Sequence, residues 1–142
     1  MSDPYNLQRF VDAQEGIYAT ALAQLKAGKK QSHWMWFIFP QLAGLSHSPT
    51  AKFYGISSLE EARAYFSHAP LDSRLEECVH AILQWSGRRT AEQIFGAVDA
   101  MKLRSSLTLF NAAGPGALFE KALNAFFDRP DERTLALLEK AR

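Results

Sequence analysis

Cysteine is nearly absent: Cys78 is the single one in the chain. One cysteine excludes an intramolecular disulfide and a cysteine-based zinc cluster. Its neighbours at helical spacing, Leu75, Val79 and Ile82, make it a small buried hydrophobe, with a nucleophilic role as the alternative. Long hydrophobic runs are missing too. The longest strongly apolar stretch is Trp34 to Phe39, whereas a membrane-crossing helix needs about 20 residues. The opening Met1-Ser2-Asp3-Pro4-Tyr5 is polar, with no basic-then-apolar order of a signal peptide, so a cytoplasmic protein is expected. Nor is there an excess of one charge: 16 basic and 15 acidic residues leave a formal net charge of +1. That balance implies no strong general attraction to nucleic acid or anionic membrane.

Several functional signatures are lacking as well. The four histidines, His33, His47, His68 and His80, fall at no zinc-binding spacing, and no His-Glu-x-x-His occurs. Hence neither a metal site nor a cofactor is expected. The glycine-rich dinucleotide and phosphate loops, the Gly-x-Ser-x-Gly elbow and a basic recognition helix are all missing.

What is present is a globular composition. The 142 residues are 47% hydrophobic and 22% charged, which suits one domain over residues 1–142 with a core of its own. Apolar residues recur at three- and four-residue steps from Leu7 through Leu25, so residues 4–27 read as one long helix, capped by Asp3 and stopped at Gly28. Residues 29–56 are the least regular, with a short helix around His33–Phe39. Ser57 and Ser58, each three residues before a glutamate, mark a capping box. Further helices are expected from about 71 to 86, from Thr90 with an interruption at Gly96, from Val98 to Ala112, after the Gly114-Pro115-Gly116 break, and over 131–141 through Leu135 and Leu138. The fold class is therefore all-α: a compact bundle of about six or seven helices, more than half helix, with little or no sheet. The oligomeric state is left open.

Two segments could carry chemistry. The first is Lys29-Lys30-Gln31-Ser32-His33-Trp34-Met35-Trp36-Phe37-Ile38-Phe39-Pro40-Gln41. Phe37, Ile38 and Phe39 read as core. Trp34 and Trp36 read either as core or as pocket walls on which a flat ring stacks, since a buried indole N–H still needs a partner. Lys29, Lys30, Ser32 and Gln41 would then contact the ligand. His33, with an ordinary pKa near neutrality, is the first choice for proton transfer, against the plainer reading of a histidine bonding its own loop. The second segment is Asp99 to Phe110. Lys102, Ser105, Ser106 and Thr108 offer a cation beside hydroxyls, which suits phosphate or ribose. Asp99 is a weaker catalytic candidate, or else an ordinary ion-pair partner of Lys102 three residues on. The function expected is binding or processing of a small anionic, nucleotide-like ligand. The alternative is a non-enzymatic protein-interaction module with an exposed aromatic patch. Whether the protein is an enzyme is left open.

The run Ser32-His33-Trp34-Met35-Trp36-Phe37-Ile38-Phe39-Pro40-Gln41-Leu42 resembles the bacterial family catalogued as domain of unknown function 1810. The likeness extends through Leu7–Gln14, Ala51–Tyr54, Ser58–Ala62, Arg74-Leu75, Ile94-Phe95-Gly96 and Lys102–Phe110, nearly the whole chain. It implies a mainly helical fold and no settled activity. Some members carry the label calpastatin. Calpain inhibitors of that kind are largely disordered, whereas this chain is rich in aromatics on regular amphipathic helices. A looser likeness of general layout links it to helical domains that process NAD and ADP-ribose derivatives, without a shared motif.

Overall fold

Asp3 accepts hydrogen bonds from the backbone N–H groups of Leu7 (2.7 Å) and Gln8 (3.0 Å). These bonds hold its carboxyl below the usual carboxylate range and fix the start of α1 (Gln8–Gln14). The computed structural model describes residues 3–114 and 116–140. The proline at the centre of the Gly114–Gly116 break, and the last residue of the helix expected to reach 141, lie outside the described residues.

The single long helix expected over 4–27 is two. α1 ends at Gln14, Gly16 takes a left-handed φ of 74°, and α2 (Tyr18–Lys26) starts afresh. The apolar stripe runs on across the kink, so spacing alone conceals it. The irregular stretch holds α3 (Met35–Ile38) and α4 (Pro49–Tyr54). The Ser48 hydroxyl caps α4 and Pro49 fills its first position, where a missing N–H costs nothing. Then come α5 (Leu59–Tyr65), α6 (Leu71–Leu83), α7 (Ala91–Phe95), α8 (Ala97–Ala113), α9 (Leu118–Phe126) and α10 (Glu132–Lys140). The described residues thus form ten helices, not six or seven, because the kink at Gly16 divides what periodicity joins, α4 is extra, and the expected interruption at Gly96 separates two full helices. Among them is no strand, only an isolated parallel bridge between Leu42 and Ile56.

α8 is the axis of the molecule. It packs against α5, α7, α9 and α10, while α6 lies on α2 and α9. Every residue from Ser105 to Phe110 is buried. This stretch of the helix, enclosed on all sides, has no polar face to show, whereas Val98 and Met101 in its first turns are exposed. Aromatic rings join these layers: Phe110 lies against Tyr65, Phe66 and Phe119, with centroids 5.3–5.7 Å apart. Among residues expected to pack α10, Leu138 is buried but Leu135 is exposed, and the half-buried Leu137 takes its place. No helix of the described residues is long and apolar enough to cross a membrane.

Cys78 lies in the α6 core, fully buried, and burial pushes its thiol up to about 12. Only the thiolate reacts with disulfide reagents, so in the native protein Cys78 reacts with Ellman's reagent orders of magnitude more slowly than in 6 M guanidinium. A free-thiol rate in the native state would contradict this placement.

Candidate functional site

The tryptophan segment and α8 meet through charge. Lys30 Nζ lies 2.8 Å from Asp99 Oδ2, and Lys102 Nζ lies 3.2 Å from Asp99 Oδ1. The ordinary i, i+3 pair is therefore present, with a second lysine from the loop after α2. Both cations also rest on indoles: Lys30 Nζ is 5.0 Å from the Trp34 ring centroid and Lys102 Nζ is 4.1 Å from that of Trp36. The backbone N–H of Lys30 donates to the Ile94 carbonyl at 2.7 Å, which ties this loop to α7. Burial alone would raise the pKa of Asp99. The hydrogen bonds and charges of the two lysines outweigh it and hold the carboxyl below the usual carboxylate range. Asp99 is thus a fixed anion between two cations, and this triad carries one surplus positive charge.

Beside Lys102 opens a groove of about 190 Å³. Gln41, Leu45 and Ser46 form one wall, and Val98, Met101, Lys102 and Ser105 of α8 form another. Asp131 and Arg133, at the start of α10, close the end. The Asp131 carboxylate is occupied there, accepting from the Thr134 N–H and hydroxyl at 2.9 and 2.6 Å. Arg133 donates to the Leu45 carbonyl at 3.2 Å. A narrower cleft of about 10 Å³, room for a single water, sits next to Trp36 and shares Gln41, Leu45 and Ser46 with the groove.

Not all the residues singled out from the sequence arrive here. Trp34 is a core side chain, only 1% exposed, and its Nε1–H donates to Gln24 Oε1 at 2.9 Å. The partner that a buried indole requires is therefore a glutamine of α2. The Ser32 hydroxyl accepts from the same Gln24 side chain. Lys29 is exposed, and Lys30 is turned inward to Asp99. Ile38 and Phe39 are core, and Phe37 is half-buried against Tyr54. Trp36 is half-buried under Lys102, so the two tryptophans form no exposed aromatic patch. His33, in the turn before α3, is exposed and lines neither hollow.

On α8 the hydroxyls are buried and mostly turned back on the chain. Ser105 donates to the Met101 carbonyl at 3.2 Å, though it still edges the groove. Thr108 donates to the Arg104 carbonyl and accepts from the Asp131 N–H, both at 2.8 Å, which anchors α10. Ser106 is fully buried and lines neither hollow, although it stands four residues from Lys102. Ser105 and Thr108 thus bond the carbonyl one turn back and need no ligand, whereas the Ser106 hydroxyl has no hydrogen-bond partner among the described residues. Sequence reasoning missed Gln24, Arg133, Val98 and Met101. Gln24 looks like any polar helix residue, and Arg133 reaches Leu45 across 88 residues of chain.

The sequence matches the family described as protein of unknown function (DUF1810) over residues 4–138. The chain belongs to that family. Its fold is shared with the conserved hypothetical protein Rv1873 from Mycobacterium tuberculosis, known from a crystal structure. That protein is 49% identical, with a TM-score of 0.93, over 96% of this chain and 99% of the other. No curated protein matches. The solved relative thus agrees on the helical architecture, and neither it nor the DUF1810 description carries an activity.

Proposed function

We propose that this DUF1810 protein binds a small anionic, nucleotide-like ligand in the groove beside Lys102. The observation that carries this reading is the surplus cation: two lysines share one carboxylate, and Lys102, which edges the groove, is held on Trp36. Gln41 and Ser105 add polar groups beside it, and Arg133 a second positive charge. At about 190 Å³ the groove encloses a phosphate with part of a sugar, rather than a whole dinucleotide. The exposed Met101 and Val98 at its rim suit the remainder of such a molecule. Asp99, held ionised, has no proton to donate near neutral pH, and His33 stands apart, so the reading is one of binding.

Replacing Lys102 by methionine keeps a flexible stem over Trp36 and removes the charge. A charge-assisted hydrogen bond contributes about 1.5–3 kcal/mol, so Lys102→Met weakens binding roughly tenfold or more. A thermal-shift series with AMP, NAD and ADP-ribose checks this, because a ligand specific to the folded state raises its Tm. The reading fails if none of them stabilises the parent, or if Lys102→Met responds as the parent does.

A further inference from the structure

A second charged hollow lies at the turn between α6 and α7 and shares no lining residue with the groove. Trp85 is its foundation. Its Nε1–H donates to the Leu25 carbonyl at 3.1 Å. Its ring lies on the bare backbone of Gly28, where an added Cβ would stand 2.6 Å from Cε2. The Trp85 carbonyl accepts from the N–H groups of both Arg88 and Arg89, at 2.8 and 2.9 Å. Their guanidinium carbons lie 4.7 and 5.3 Å from the Trp85 ring centroid. Among the described residues no carboxylate is within ion-pair distance of either arginine. A capping box between Thr90 and Gln93 fixes the far end of the turn.

Two guanidiniums held on one indole and lining one hollow concentrate positive charge there, and an anion with two negative charges offsets it. Their alignment on a fixed ring also lowers the entropy lost when they bind. Between this turn and the end of α9 is a hollow of about 410 Å³, within the range that holds small molecules. Ala125 and Phe126 form its apolar side.

We propose that Arg88 and Arg89 with Phe126 form a second anion site, for a phosphorylated small molecule whose ring or apolar part lies on Phe126. A nucleic-acid strand fits less well. Glu92 stands on the wall shared with the neighbouring hollow, where it and Asp128 offset Arg104 and Arg129, so a longer polyanion finds no continuous basic track. The net charge of +1 adds no long-range pull on a polymer.

Phenyl phosphate is the probe, and the indole N–H signals of the three tryptophans are the readout. The Trp85 signal, identified by its loss in Trp85→Phe, shifts saturably with phenyl phosphate and more weakly with inorganic phosphate. The double variant R88Q/R89Q, its fold checked by circular dichroism, binds at least tenfold more weakly. Phe126→Leu removes the advantage of phenyl phosphate over inorganic phosphate, and Lys102→Met leaves both unchanged. The proposal is overturned if the Trp85 signal does not shift, if R88Q/R89Q binds like the parent, or if the ring confers no advantage. It is equally overturned if a single-stranded oligonucleotide at equal phosphate concentration binds more tightly than phenyl phosphate.

Discussion

Replacing Arg9 by alanine lowers the stability of the fold by about 3–5 kcal/mol, the cost of leaving a buried charge without its partner. Arg9 and Glu61 pair at 2.8 Å, with side chains 8% and 3% exposed. Arg9 also donates to four carbonyls, those of Phe53 (2.8 Å), Tyr5 (2.6 Å), Asn6 (2.9 Å) and Gly55 (3.1 Å). Glu61 accepts in addition from the N–H and hydroxyl of Ser57, both at 2.8 Å. One guanidinium therefore joins the start of α1, the end of α4 and the start of α5. Arg9→Lys does not rescue the loss, because an ammonium cannot reproduce the planar fork. Denaturant unfolding of Arg9→Ala, Glu61→Ala and the double variant checks the argument. The double loses less than the two singles together, since each single strands the other charge. Strict additivity would show that the pair is not coupled.

Trp34→Ala also costs about 3–5 kcal/mol, as for other large buried aromatics. The ring stands edge-on to Phe95 at 6.4 Å and tilted to Phe39 at 6.5 Å, and its N–H reaches Gln24. Trp34→Phe costs less, because Gln24 Oε1 keeps the N–H groups of Gln31 and Ser32 as donors. A tryptophan that served only as a ligand wall would behave otherwise. Its loss would leave stability within about 0.5 kcal/mol, as at ordinary surface positions, and abolish binding. Unfolding midpoints of the two variants separate these cases.

The pairing of Lys102 with Asp99 is visible in the spacing of α8, but the arrival of Lys30 at the same carboxylate is not. Thr108 illustrates the opposite error. In the sequence it stands near a lysine and serines, like part of a polar face, yet the stretch Ser105–Phe110 is buried all round and its hydroxyl serves Arg104 and Asp131. Ser48 and Pro49 cap and open α4, yet in the sequence they stand within the irregular stretch 29–56, where the low apolar content hid the helix. The Gly16 kink had no such sign in the hydrophobic pattern, which continues through it.

The amino-acid pattern alone specifies the all-α class, a helix start at Ser57 or Ser58 and another at Thr90, the break at Gly96 and the buried state of Cys78. These depend on contacts within one or two turns of chain, which spacing and cap residues encode. It takes the packing of distant helices to place Trp34 in the core and Trp36 under Lys102. That packing alone brings Arg133 to Leu45, and it sets Arg88 and Arg89 on an indole that rests on Gly28. Such placements depend on which distant helices meet, and no local pattern carries that information.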